Sequence, residues 1–244
     1  NSEKAWFDET PYAIQASKKF NSNLKIIEFS NKDNLQMFSE AIWYNDFPLS
    51  YPHCSAIFKL AKEASKDVKV LLSGEGADEI FGGYNTYQDV QKSGFKIDMY
   101  SEPKDVKKLL NLKYSKNIER VRGYKLINKR NINSLIIYLL KTRLVSLEQR
   151  LDKMTMAGNI ELRVPYLHEK IFKLAQKLPK NLKSNSTENK YILKKVAERY
   201  FPKEFVYRKK NGFSTPINSW MREDNFIKEY ISILNEKRTL SRSI

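Results

Sequence analysis

The chain has 244 residues, of which 41% are hydrophobic and 12% aromatic. That is enough apolar material for a sizeable buried core, and it excludes an intrinsically disordered chain. Lys and Arg number 44 against 28 Asp and Glu, giving a net charge of +16. This charge favours an anionic partner, which can be a nucleotide, a nucleic acid or an acidic protein surface, although a lysine-rich surface also serves solubility alone.

The cysteine content and the hydropathy pattern narrow the class further. Cys54 is the one cysteine, so an internal disulfide is excluded, and we interpret Cys54 as a core residue of a cytoplasmic protein. No stretch approaches the roughly 18–20 consecutive apolar residues that cross a bilayer, so we expect no membrane segment. The first residue is not methionine, and we expect the numbering to begin inside a longer protein.

The first part of the chain alternates predicted helices and strands. Helices are predicted over residues 10–20, 33–46 and 53–65, with Pro11 in the first turn of the first and Asp33 capping the second. The apolar runs at 24–29 and 68–72 are typical of strands. Strands separated by helices predict an α/β fold class with a partial doubly wound parallel sheet.

After residue 87 the strand signals fade and amphipathic stretches dominate, near 131–151, 168–178 and 188–200. We therefore predict an α/β region over residues 1–90 and a mainly helical remainder over 91–244. The lysine-rich stretch at 93–129 is either a mobile connection or a set of surface helices, and its sequence does not separate the two.

The segment at 71–84 combines an apolar strand, a glycine-rich turn and a helix that starts near Ala77. Ligands bind beyond the carboxyl ends of parallel strands, and Gly74 and Gly76 allow the backbone to turn sharply and approach a ligand closely. Amide groups at a helix start also favour phosphate.

Three carboxylates, those of Glu75, Asp78 and Glu79, crowd this turn and repel one another unless a cation lies among them. Mg²⁺ is the natural candidate, because it takes oxygen ligands and bridges to nucleotide phosphates. Glu79 alone can equally be an ordinary acidic residue in the first turn of a helix.

Residues 73–84 read SGEGADEIFGGY, which closely resembles the signature of the synthetase domain of glutamine-hydrolysing asparagine synthetases. Three further stretches resemble motifs of that family in the same order: DKMTMA with ELRVPYL at 152–167, KYILKK at 190–195, and RKKNGFSTP at 208–216. The resemblance covers nearly the whole chain. It implies a sheet region of the ATP-pyrophosphatase type, similar to the adenine nucleotide α-hydrolases.

The resemblance also implies the chemistry. In that family ATP is split between its α and β phosphates, a carboxylate such as that of aspartate becomes an acyl-adenylate, and ammonia from glutamine attacks it. The implied site residues are Ser73, Gly74 and Gly76 on the nucleotide, Glu75 beside the reacting carbonyl, Asp78 on Mg²⁺, and Lys190 and Lys210 on the phosphates, with Lys210 also catalytic. Asp78 and Lys210 are then expected to share one cleft.

The sequence departs from the family pattern in several places. The phosphate loop of the form S-G-G-x-D-S and the glutaminase domain are both absent from this chain, so we expect the isolated chain to be inactive. His168 stands where the family usually has aspartate. Arg163 lies between apolar residues, and we interpret it as part of a buried structural pair.

Two alternatives remain open. Within the same class, the acceptor can be a sugar acid, a peptide or a β-amino acid instead of aspartate. In a different class, the chain is a catalytically inactive basic binding module for nucleic acid or an acidic partner. No interleaved aromatic and basic pattern of a known nucleic-acid fold accompanies the positive charge, so we expect no nucleic-acid partner.

Overall fold

The computed structural model describes residues 8–85 except 48 and 50, then residue 87, residues 132–209, residues 212 and 213, and residues 215–235. The chain divides into two compact units. Unit 1 comprises Asn1–Ser73, Glu148–Arg163 and Tyr200–Ile244, and unit 2 comprises Gly74–Leu147 and Val164–Arg199. Compact units defined by contacts are not the same as independently folding domains, so the division at residue 90 stays a prediction.

The first elements follow the predicted order except for the strand predicted over 24–29. They are helices α1 (Thr10–Phe20), α2 (Asn31–Asn45) and α3 (Cys54–Ala64), strand β1 (Val70–Leu72) and the short helix α4 (Ala77–Phe81). The cap of α2 is Ser30 and not Asp33. Its hydroxyl accepts from the Asp33 amide, while the Asp33 carboxylate accepts from the Ser30 amide, so the two residues form a capping box.

The later elements are mainly helical, as predicted. They are α5 (Ile132–Leu139), a π-helical segment (Leu140–Leu144), α6 (Val145–Ala157), strand β2 (Glu161–Arg163), a 3₁₀ turn (Pro165–Leu167), and helices α7 (Glu169–Lys177), α8 (Lys180–Lys183), α9 (Tyr191–Ala197), α10 (Lys203–Val206), α11 (Ile217–Trp220) and α12 (Asp224–Leu234). The stretch at 93–129 lies outside the described residues.

The doubly wound sheet is only partly visible. β1 and β2 pair in parallel, with Val70 opposite Glu161 and Leu72 opposite Arg163, and they form the only sheet in the described ranges. The predicted strand over 24–29 is wrong, because those residues have no regular structure, and Ile26 is exposed. An apolar run becomes a strand only where a neighbour takes its backbone hydrogen bonds, and none of the described strands does so here.

Unit 1 has a core formed by α2, α3 and α6. Its buried residues are Ala41, Cys54, Ile57, Phe58, Leu151 and Met154. Burial raises the pKa of the Cys54 thiol to about 11, which makes it unreactive and confirms its interpretation as a core residue. A side chain at Gly158 would bring a Cβ to 2.4 Å from the Cβ of Ala61, so this glycine allows a close backbone approach.

Unit 2 packs around α4, which buries Ile80 and Phe81 against Ala175 of α7. In a second buried cluster, Tyr87 packs with Leu135, Ile136 and Leu139 of α5. The short helix α4 is thus held by the apolar contacts of Ile80 and Phe81, which follow its two carboxylates in the sequence. In the part of the chain that the structure describes, no helix is both long and apolar enough to cross a membrane.

Candidate functional site

The turn between β1 and α4 requires a glycine at position 76. Gly76 has φ +86°, a left-handed conformation that side chains rarely adopt, and an added Cβ would lie 2.4 Å from Cδ2 of Leu167. Gly74 differs, because an added Cβ would have no atom within 4 Å. The space beside the Gly74 Cα is therefore open, and the approach of a ligand to it stays a prediction.

The glycine pair that ends α4 makes room for a carboxylate. Gly82 has φ +70° and ends the helix in a left-handed conformation, and the amide of Gly83 donates to the Asp78 carbonyl at 2.8 Å. A Cβ on Gly83 would come within 1.7 Å of Oδ1 of Asp78. The sequence GG is thus needed for the position of the Asp78 side chain as well as for the helix end.

Asp78 forms an ion pair with Lys190, with 3.0 Å between Oδ1 and Nζ. The two side chains are 23% and 26% exposed, so the pair is half-buried and open to solvent on one side. Lys190 has φ +51°, and its amide donates to the Gly82 carbonyl at 3.2 Å. The backbone that follows α4 therefore holds the lysine beside the carboxylate.

Glu79 faces the opposite environment. It is fully buried, its Oε1 accepts from the Tyr84 hydroxyl, and the Tyr87 hydroxyl donates to its backbone carbonyl at 2.8 Å. Burial, followed by the charge of Glu79, raises the pKa of Tyr84 far above its ordinary value, so the hydroxyl stays protonated and remains a donor. Glu79 is therefore not a solvated residue of the first turn. Its carboxylate interacts with Tyr84, whereas Lys190 pairs with Asp78.

The guanidinium of Arg143 completes this buried network. It lies 4.3 Å from the centroid of the Tyr84 ring, at a distance typical of a cation–π contact. Sequence reasoning missed the network, although the GGY motif that contains Tyr84 was the available signal. The network packs against the buried side of α4, the helix that also carries Asp78.

The remaining predicted residues have separate positions. Glu75 is half-buried, and the amide of Ser73 donates to the Arg163 carbonyl at 2.8 Å, which extends the β1–β2 pairing by one residue. Lys210 lies outside the described residues, so its expected cleft with Asp78 stays a prediction. Of the predicted set, the structure thus joins Asp78 and Lys190 by a direct contact.

Two further expectations concern residues near this region. His168 caps α7, with its Nδ1 accepting from the Lys170 amide at 3.3 Å, which is a role that the aspartate usual in the family can also fill. Arg163 does pair with Glu161 at 2.6 Å between Nε and Oε1, but both side chains are more than half exposed. The expectation of a buried pair was therefore wrong, since the short strand β2 is open to solvent.

The side chains available as ligands limit which metal ion the site could bind. Across the described ranges there is no group of three or more His, Cys, Asp or Glu residues placed to hold a metal ion. Asp78 could supply one carboxylate ligand to a metal ion, and its Oδ1 lies 3.0 Å from the Lys190 ammonium. This arrangement fits Mg²⁺ that keeps its waters and relies on substrate phosphates for most of its ligands.

The asparagine synthase family model matches residues 2–243, which is nearly the entire chain. The chain belongs to the asparagine synthase family. Asparagine synthetase [glutamine-hydrolyzing] 1 of Bacillus subtilis is 30% identical over 86% of this chain and 40% of its own length. A putative asparagine synthetase [glutamine-hydrolyzing] of Mycobacterium tuberculosis is 28% identical over 93% of this chain and 42% of its own.

This asparagine synthase family chain therefore spans about two fifths of the length of these relatives. A more distant match is asparagine synthetase [glutamine-hydrolyzing] 1 of Saccharomyces cerevisiae, 27% identical over 66% of this chain. The glycine turn, the GGY motif and Lys190 all lie within the matched range. The segments that build the Asp78–Lys190 pair are therefore part of the region that the family model matches.

Proposed function

We propose that this chain is part of an ATP-dependent amide-forming synthetase that activates a carboxylate, with aspartate as the leading acceptor and ammonia derived from glutamine as the nucleophile. The observation that carries the proposal is the Asp78–Lys190 ion pair, which joins two motifs far apart in the sequence. Family membership supports the reaction class. The names of the relatives support asparagine and glutamine as the amides concerned.

In this proposal the Asp78–Lys190 pair is the resting form of a phosphate-binding site. Without substrate, the lysine neutralises the carboxylate. With a nucleotide bound, Asp78 would hold Mg²⁺ and Lys190 would turn its ammonium to a phosphate oxygen. A compact cation beside a departing phosphate stabilises the developing charge electrostatically. Bound Mg²⁺ would supply further charge neutralisation for the triphosphate.

The other residues have roles that follow from their position in the turn. Gly74, with open space around its Cα, allows the backbone to approach the nucleotide. The half-buried Glu75 can orient the acceptor and take a proton from ammonia. The assignments of Ser73 to the adenylate and of Lys210 to the leaving pyrophosphate rest on the family resemblance, and they belong to the proposal.

The test is pyrophosphate release by the complete gene product with ATP, Mg²⁺, ammonium and aspartate. Asp78→Asn and Lys190→Met should each lower kcat by about 10²–10³-fold, the usual loss when one electrostatic stabiliser of a transition state is removed. Glu75→Gln and Lys210→Ala test the two predicted catalytic residues in the same assay. The matched control is Lys177→Met, an exposed lysine at the end of α7 that should leave the rate unchanged.

The acceptor is tested separately, by replacing aspartate with sugar acids, β-amino acids and peptides bearing a free carboxylate. A rate that requires one of these in place of aspartate would keep the synthetase proposal and change its substrate. Full activity in both Asp78→Asn and Lys190→Met would contradict the proposal itself, since the pair that carries it would then be dispensable.

A further inference from the structure

A cavity of about 240 Å³ lies in unit 2 among α4, α5, the π-helical segment, α7 and α8. Its lining among the described residues is mostly apolar and includes Ile80, Ile136, Leu140 and Phe172. Ile80 and Ile136 are buried, whereas Ile137 and Gln176, which also line it, are exposed. The cavity is therefore lined by both buried and solvent-exposed residues, as small-molecule pockets are.

One cation also lines this cavity. Lys183, the last residue of α8, is 2% exposed and makes no hydrogen bond or ion pair with any described residue. Burial lowers its pKa from the ordinary value, because the charged form loses its hydration. Buried ammonium groups are costly unless an anion pairs with them, so an unpaired one beside an empty space indicates an anionic ligand.

The lining also restricts which anion can enter. The described walls include no carboxylate, so the ammonium of a zwitterionic amino acid would meet at most the neutral amides of Asn133 and Gln176. A dicarboxylate would bring two negative charges to the one ammonium among the described lining residues. Phosphate would face hydrocarbon on most sides. A single carboxylate on an aliphatic body matches both the one ammonium and the apolar walls.

We propose that this cavity binds a small aliphatic monocarboxylate, with its carboxylate on Nζ of Lys183 and its hydrocarbon against Ile80, Ile136 and Phe172. The volume corresponds to about eight water-sized spaces of about 30 Å³ each, which is a ligand of about eight heavy atoms such as hexanoate. The site uses a different lysine from the Asp78–Lys190 pair, and its chemistry excludes aspartate. It is therefore distinct from the proposed acceptor site.

The experiment compares hexanoate with 1-hexanol, a neutral molecule of similar length, by isothermal titration of the complete gene product at pH 7. The wild type should bind hexanoate at least about tenfold more tightly than 1-hexanol, which corresponds to about 1.4 kcal/mol. Lys183→Met should abolish this preference and leave 1-hexanol binding within about threefold of the wild type. Lys180→Met, an exposed lysine on the same helix, is the matched control and should behave as the wild type.

A second measurement needs no variant and decides the matter if Lys183→Met fails to fold. Reductive methylation of lysines is followed residue by residue by mass spectrometry, with and without hexanoate. Hexanoate should slow the labelling of Lys183 at least about threefold, while 1-hexanol should not and Lys180 should be unaffected. The proposal is overturned if the wild type shows no preference for hexanoate, if Lys183→Met retains that preference, or if Lys183 labels equally fast with and without hexanoate.

Discussion

Lys183 and Lys190 lie close together in the sequence of unit 2, yet their surroundings differ sharply. Lys190 is half-buried, open to solvent on one side and paired with Asp78. Lys183 is buried in an apolar cavity wall without a carboxylate partner among the described residues. The protein thus neutralises the lysine charge at Lys190, whereas at Lys183 it leaves that charge to be neutralised by a ligand.

The carboxylates of α4 show the same contrast at neighbouring positions. Asp78 takes part in the half-buried ion pair, and Glu79 turns inward to the Tyr84 hydroxyl. Adjacent residues on a helix point about 100° apart, so one turn can serve a solvent-facing site and a buried network together. The predictions below test whether these two environments differ as strongly in energy as they do in geometry.

The largest effect is expected from Gly83→Ala. The added Cβ would meet Oδ1 and the backbone Cα of Asp78, so α4 or the loop after it must move. We expect the free energy of unfolding to fall by about 2 kcal/mol, in line with overpacked sites. Urea denaturation measures it, with Gly74→Ala as the control, since its Cβ meets nothing within 4 Å. Equal stability of the two variants would mean that Asp78 does not need the space that Gly83 leaves.

A smaller change in the unfolding free energy, of opposite sign, is expected from Lys183→Met when no carboxylate ligand is added. Replacing a buried, unpaired ammonium by an apolar side chain of similar shape should raise the free energy of unfolding by about 1 kcal/mol at pH 7. The measurement is chemical denaturation of wild type and variant under identical conditions. A destabilised variant would show that the ammonium is satisfied in the folded protein.

The pH dependence of the stability difference between wild type and Lys183→Met makes the test more specific. The pKa of Lys183 is lower in the folded chain than its ordinary value of 10.5, so the unfolded chain binds the proton more tightly. Wild-type stability therefore gains on the variant as pH rises from the lowered folded pKa towards 10.5. The advantage of Lys183→Met should shrink over that window. Tyr84 and Tyr87, whose raised pKa values act in both proteins, cancel in the comparison.

The smallest effect is expected from Lys190→Met. An ion pair that is partly accessible to solvent contributes little, so the unfolding free energy should fall by only about 0.5 kcal/mol at low ionic strength. The difference should nearly vanish at 1 M salt, where the screening length is about 3 Å. A double-mutant cycle with Asp78→Asn isolates the pair itself. A loss of unfolding free energy above about 2 kcal/mol that does not depend on salt would show that Lys190 behaves energetically as a buried charge, as Lys183 does.

Much of the fold could be predicted because local signals decide it. The helix at Thr10–Phe20 has its proline in the first turn, and the strand at Val70–Leu72 leads into the glycine turn. The apolar run at 24–29 was wrongly predicted as a strand, because strand formation depends on a neighbouring strand and the sequence pattern does not specify one. The three residues of β2 are too few to show the alternation that identifies a strand.

The candidate site was predictable in part for a similar reason. The glycine turn and Asp78 belong to one motif, and family resemblance singled out Lys190. The buried position of Glu79 depends on Tyr84 folding back over α4, and that contact leaves no periodic trace in the sequence. Lys183 lies in a lysine-rich stretch that predicts a solvated surface, so its burial becomes evident only from the structure.

The π-helical segment Leu140–Leu144 has a consequence for how the family can vary in length. A π-turn takes in one residue more than an α-turn, and it lies between two α-helical stretches that continue on either side. The additional residue is absorbed locally, so the faces of α5 and α6 keep their phase. A homologue with one residue fewer between Leu139 and Val145 could therefore run as an unbroken α-helix, and we expect alignments of relatives to place a single-residue gap there.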